Sequence, residues 1–192
     1  MTAEPLDKPD TAILTAEEYA LLPEEDDTIS DLVRGKVVKM SRPSFTHGNV
    51  QVKVATTLEI SATSTRSGRV TVESEVITER GPDTVRGPDV AFWSYKRLPL
   101  EATPKVYSDV SPELIVEVIS PSNTRHGIAR KIREYFEAGT IVVWVVDPVD
   151  RSVMIYRKPD EGRLIWDDAI IDCEDVLPGF SCPVANFFGA AQ

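Results

Sequence analysis

Apolar residues recur along this 192-residue chain at two periods, and the switches between the periods lay out a succession of strands and helices. Thr15-Ala16-Glu17-Glu18 reads as a capping box and predicts a short helix over 16–22, ended by Pro23 and the acidic run Glu24–Asp27. Residues 31–40 read as two short strands turning at Gly35. Val50, Val54, Leu58 and Ala62 recur every four residues and predict a helix over about 47–63, with Gly68 closing the loop behind it. Val70–Thr78 alternates and predicts one strand; Pro88–Tyr95 predicts another. Glu113–Ser120 is almost wholly apolar, as a strand covered on both faces must be. A helix over about 124–138 follows, with Ile128, Ile132, Tyr135 and Phe136 on one stripe and Gly139 just past its end. Ile141–Asp147 is a second buried strand, stopped by Pro148. Strand, helix and strand in that order predict a parallel pair with a right-handed crossover. Residues 151–158, 163–167 and 169–173 read as a trailing meander, and Pro178-Gly179-Phe180 opens a coil or short helix.

The length suits one domain, and the expected division is an acidic mobile arm over 1–14 and a single domain over 15–192. A formal net charge of −10 argues at first against a nucleic-acid partner, because a polyphosphate would be repelled. The charge is unevenly spread. Residues 1–31 hold ten acidic residues and one lysine, whereas 32–150 hold sixteen basic and fourteen acidic residues, a net +2. Acidity therefore belongs to one end and does not exclude a phosphodiester substrate for the middle of the chain. Two cysteines nine residues apart, Cys173 and Cys182, fit neither a CxxC site nor a disulfide framework, and two histidines cannot make a His-rich metal cluster. No run resembles a signal peptide, and the longest apolar run, Ile141–Val146, is far short of the ~20 residues that span a bilayer. A cytoplasmic protein with no membrane partner is expected.

Two carboxylates stand out. Strand alternation puts Glu117 on one face with Ile115 and Ile119, against Leu114, Val116 and Val118 on the other. A carboxylate inside a doubly covered strand costs several kcal/mol unless it is paired, hydrogen-bonded or bound to a metal, so it reads as a buried salt bridge or as a ligand or base. Asp89, after Gly87-Pro88, reads as a turn residue or as a second ligand at a strand start. On neighbouring strands the two would form an oxygen-rich site for Mg²⁺ or Mn²⁺.

Four blocks in fixed order carry a resemblance: Gly87-Pro88-Asp89-Val90-Ala91, Leu114 through Ser122, Lys131-Ile132-Arg133-Glu134-Tyr135, and Val143 through Pro148. Asp31 through Gly35 and Leu177-Pro178-Gly179-Phe180 add weaker blocks, so that the likeness runs over roughly residues 15–188. In these the chain resembles the bacterial restriction endonuclease-like family of the Uma type, within the PD-(D/E)XK nuclease superfamily. The resemblance implies an α/β fold with an αβββαβ restriction-endonuclease-like core: a mixed central sheet flanked by helices, plus an N-terminal hairpin and a C-terminal meander. It implies a Mg²⁺- or Mn²⁺-dependent endonuclease acting on phosphodiester bonds in DNA, with Asp89 and Glu117 as the metal-binding acids. The lysine expected two residues after the second acid is replaced by Ile119, and the resemblance shifts that role to Lys131 on the following helix. Nucleases of this kind act on two strands with two sites, which implies a homodimer.

Around this set, Glu75 and His47 are accessory candidates, and Arg125, Arg130 and Arg133 are candidate phosphate contacts that read equally as a solvated helix face. Trp93, Tyr95, Lys96 and Arg97 form an aromatic-basic cluster just past Asp89. The chain departs from its relatives at Lys36 and Gly127, where an acid is common. With Ile119, those departures favour an alternative: a catalytically degenerate nuclease-fold protein that binds nucleic acid or another protein. A further expectation is that the acidic residues 1–31 occupy a basic cleft of the same chain.

Overall fold

A computed structural model describes residues 13–23 and 28–189. Its centre is a six-stranded sheet in the order β10-β9-β8-β7-β6-β3. The strands are β3 (Gly68–Val72), β6 (Val90–Ser94), β7 (Leu114–Val118), β8 (Val142–Asp147), β9 (Ser152–Lys158) and β10 (Glu161–Trp166). β7 and β8 run parallel, pairing Leu114 with Val142 and Glu117 with Val145, and the other neighbours are antiparallel. Helix α3 (Arg125–Glu137) supplies the crossover. The expected helix, three strands, helix and strand are thus α2 (Phe45–Thr65), β3, β6, β7, α3 and β8.

The sheet is covered on both faces because its middle strands are apolar on both. On one face Leu114, Val116, Val118 and Trp144 pack with Val50, Val54, Leu58 and Ala62 of α2 and with Phe180 and Phe187 near the C-terminus. On the other, Ile115, Val143 and Val145 meet Ile132 and Tyr135 of α3. Each large apolar side chain removed from water here contributes about 1.5–3 kcal/mol, which is why β7 and β8 tolerate almost no polar residue. Both helices are fixed at their starts by hydroxyl caps: Ser44 Oγ accepts the His47 N–H at 3.3 Å, and Thr124 Oγ1 accepts the Gly127 N–H at 3.0 Å. Gly139, at φ 101°, takes the left-handed position after α3 that a side chain would resist.

A second, four-stranded sheet, β2-β1-β5-β4, stands beside the first. It is made of β1 (Thr28–Val33), β2 (Lys36–Ser41), β4 (Val76–Glu79) and β5 (Thr84–Arg86), with helix α1 (Ala16–Tyr19) packed on Leu32 and Val85. The hairpin turns at Arg34-Gly35, both with positive φ. The capping box at Thr15 is present, although the helix is shorter than expected. Of the arm expected over 1–14, residues 1–12 lie outside the described residues, while the Leu14 N–H donates to the Gly35 carbonyl at 2.9 Å.

The strand expected over Val70–Thr78 is two strands in two sheets. β3 ends at Val72, opposite Val90 at the start of β6, and has no partner beyond it. Glu73 takes a left-handed conformation, φ 51°, with its N–H on the Asp89 carbonyl, and the chain crosses over to become β4. The meander continues into β11 (Ile170–Asp172) and β12 (Ser181–Pro183), an antiparallel pair, before a 3₁₀ turn over Val184–Phe187.

Candidate active site

The carboxyl-terminal end of β7 meets the start of β6 because the two strands are antiparallel, and this brings Asp89 beside Glu117 and Val118. Asp89 Oδ2 accepts the Val118 N–H at 2.6 Å. From α2, His47 Nε2 lies 3.1 Å from Asp89 Oδ1; a carboxylate only accepts, so the imidazole proton resides on Nε2. The Ser44 cap sets His47 in the first turn of α2, and Gln51, one turn on, donates to the Asp89 carbonyl at 2.9 Å and to Glu73 Oε1 at 3.1 Å. His47 is buried, and its Nδ1 has no partner among the described residues. Burial works against the imidazolium, but Asp89, then Glu117 and Glu73, hold its pKa above the ordinary value.

Glu117 is held from the opposite face. Lys131 Nζ donates to Oε1 at 3.0 Å and to Oε2 at 2.9 Å, and the Tyr135 hydroxyl donates to Oε1 at 2.5 Å. Lys131 and Tyr135 are one helical turn apart, so both project from α3 onto the same strand residue. Burial pushes the Glu117 carboxyl upward, opposed by Lys131 and reinforced by the charge of Asp89. Burial alone would lower the Lys131 ammonium; Glu117, with Asp31 and Asp89, reverses this and holds it above its ordinary value. Lys131 is thus no solvated helix lysine: only 14% of its side chain is exposed.

A buried ion-pair network lies next to this pair. The Arg86 guanidinium, from β5, donates to Asp31 Oδ2 at 2.8 Å and to Glu134 Oε2 at 2.7 Å, tying the second sheet to α3. Asp31 Oδ1 also accepts the Gly87 N–H, two residues before Asp89. A cleft of about 730 Å³ opens from Asp89 over the β1–β2 hairpin of the second sheet, with Tyr19 and Tyr107 in its wall. Its charged lining is Asp31, Glu73, Glu75 and Asp89 against Lys39 and Arg42, so it is not the basic cleft expected for an acidic arm.

The accessory candidates separate. His47 touches Asp89; Glu75 lies on neither strand but in the link between β3 and β4, where it lines the cleft. Burial, with Asp31 nearby, raises its carboxyl to about 7. Arg125, Arg130 and Arg133 are exposed and line no part of the cleft, and Arg130 pairs with Glu134 along the helix. Trp93 through Arg97 stand at the far end of β6 from Asp89: Trp93 is buried with its indole N–H on the Val110 carbonyl, and Arg97 bonds the Ser111 and Gly139 carbonyls. Gln51, Arg86 and Glu73 escaped the sequence reading, and Tyr135 reads there as core rather than as part of the site. The spacing of four from Lys131 to Tyr135 and from His47 to Gln51 was the available signal. Arg86 gave none, since a lone arginine between turn residues reads as exposed.

Asp89 and Glu117 present hard carboxylate oxygens, the donors Mg²⁺ prefers, and the repulsion between them would be relieved by a cation. Among the described residues no cluster of three or more His, Cys, Asp or Glu side chains is gathered for a metal ion. That is compatible with Mg²⁺, which keeps several waters and takes one or two carboxylates together with substrate phosphate. No helix among the described residues is long and apolar enough to cross a membrane.

No curated protein matches the chain significantly. Among solved structures it resembles the crystal structure of a "putative nuclease belonging to DUF820" from Anabaena variabilis, at a TM-score of 0.78 and 20% identity over 91% of this chain and 97% of that one. A likeness at that identity is one of fold. The sequence profile of the Uma2 family, described as "putative restriction endonuclease", matches residues 16–185. With nearly the whole chain matched, the protein belongs to the Uma2 restriction endonuclease-like family.

Proposed function

We propose that the protein is a metal-dependent endonuclease that hydrolyses phosphodiester bonds in DNA, with Mg²⁺ or Mn²⁺ held by Asp89 and Glu117. The observation that carries this reading is the convergence of three residues from separate elements: Asp89 bonded to the Val118 N–H, and Lys131 bonded to both oxygens of Glu117. The family and the fold support it. The metal supplies Lewis acidity, polarising a phosphoryl oxygen and lowering the pKa of bound water. The chain's own residues do the rest. Asp89 is held by the Val118 N–H and the His47 imidazole at the mouth of the cleft. Lys131 opposes the upward push of burial on the Glu117 carboxyl and presents an ammonium that can stabilise charge developing on the attacked phosphate. His47 orients Asp89 through Nε2. Near-neutral charge over 32–150 predicts weak, salt-sensitive DNA binding. Cleavage of both strands calls for two copies, hence a homodimer.

The test is nicking of supercoiled plasmid with Mg²⁺ or Mn²⁺, against chelated controls and against RNA of matched sequence. Metal-dependent nicking that disappears in Asp89→Ala and Glu117→Ala supports the reading; equal nicking in both variants overturns it. A second reading, a nuclease fold that binds without cleaving, is favoured by the lack of a three-ligand cluster among the described residues and by Ile119 at the usual lysine position. DNA binding with neither nicking nor Mn²⁺ uptake would select that second reading.

A further inference from the structure

The two oxygens of Glu117 are not equivalent. Oε1 accepts from two donors, the Tyr135 hydroxyl at 2.5 Å and Lys131 Nζ at 3.0 Å, whereas Oε2 accepts from Lys131 alone at 2.9 Å. A carboxylate oxygen offers two lone-pair sites, so Oε1 is filled and Oε2 retains one open site. Tyr135 cannot turn away: it is fully buried among Ile115, Ile132, Val143 and Val145, and its own turn of α3 is pinned by Glu134 on Arg86.

We propose that Tyr135 is a positioning residue that fixes the Glu117 carboxylate through Oε1 and thereby assigns Oε2 to the metal. This rests on the reading of Asp89 and Glu117 as the metal-binding acids and adds which oxygen binds and what selects it. Without the phenol hydroxyl, Glu117 has only Lys131 to hold it, and the ammonium, bonded to both oxygens, does not distinguish them. Partners of this kind behind a metal ligand are worth 10–100-fold in metal affinity.

The experiment is isothermal titration of the full chain and of Tyr135→Phe with Mn²⁺ alone, alongside thermal unfolding. The substitution removes one oxygen and keeps the packed ring. The Mn²⁺ dissociation constant is expected to rise about tenfold. The metal concentration for half-maximal nicking rises by the same factor, while the rate at saturating metal falls by less. A dissociation constant within twofold of wild type in a folded variant overturns the assignment. Absence of Mn²⁺ binding by the wild-type chain overturns the metal reading itself, a different failure. Should Tyr135→Phe not fold, the wild-type hydroxyl proton serves instead. A buried phenol proton on a carboxylate resonates downfield and exchanges slowly, and it should persist when Mg²⁺ saturates the site. Its loss on Mg²⁺ addition would mean that the metal takes Oε1, and the proposal falls.

Discussion

Asp89, just before β6, and Glu117, inside the neighbouring β7, are held from opposite faces of the central sheet and by different chemistry. Asp89 precedes its strand, borders the cleft, and is bonded by the Val118 N–H, the His47 imidazole and, on its carbonyl, the Gln51 amide and the Glu73 N–H. Glu117 is inside its strand, 4% exposed, and receives an ammonium and a phenol. Water still reaches part of Asp89, whose side chain is 15% exposed. Glu117 has lost its hydration, and only a counter-charge keeps a carboxylate there from neutralising. The same reaction chemistry would need both acids, while the stability of the fold depends on them unequally.

The largest expected effect removes that inequality. If the two acids hold the metal as proposed, Asp89→Ala and Glu117→Ala should each lower metal-dependent nicking about a thousandfold, ~4 kcal/mol of transition-state stabilisation, because each would remove a ligand. Equal losses measured on supercoiled plasmid would fit shared ligation. A loss confined to Glu117→Ala would mean that Asp89 only supports β7.

Stability should then divide the two. Lys131→Met leaves Glu117 buried without a counter-charge and should cost about 3–5 kcal/mol in urea unfolding. Adding Glu117→Gln to it should restore most of that, since a neutral pair of similar volume leaves no unpaired buried charge. On the other face, His47→Gln removes one hydrogen bond from a part-exposed acid and should cost about 1 kcal/mol. A His47→Gln cost equal to that of Lys131→Met would erase the distinction between the faces.

The same contrast marks what the sequence made legible. β7, α3 and β8 could be read because long apolar runs and a clean helical stripe leave one arrangement that buries them, and Glu117 was conspicuous as the charge inside such a run. The break at Glu73 could not be read. Val70, Val72 and Val76 keep a strand's alternation through it, and the left-handed residue is required by where β6 begins, a fact of tertiary pairing. β5 escaped for a related reason: three residues are too few for a period, and the burial of Arg86 depends on Asp31 and Glu134, 55 and 48 positions away. Tyr135 was read as core, correctly for its ring; its hydroxyl became informative only once Lys131 and Glu117 were known to face it.

The smallest expected effect concerns Glu75, the cleft acid that belongs to neither anchor. Its carboxyl is raised from 4.5 to about 7 by burial and by Asp31; Tyr19 and Tyr107 also act on it, and Lys39 and Arg42 line the same cleft. Between those two pH values the folded chain binds more protons at this site than the unfolded chain does. Stability therefore falls as pH rises from about 4.5 to about 7 and is level on either side. Because Glu75 is only half-buried, solvent screening reduces the effect to ~1 kcal/mol. Glu75→Gln should flatten that slope and leave the variant more stable than wild type at pH 8, with little change at pH 4. Urea unfolding at a series of pH values reads this directly. An unchanged slope would mean that Glu75 is already ionised at pH 6, with a cation such as Lys39 or Arg42 of the cleft lining beside it. The two-acid site would then have to be redrawn to include a third carboxylate.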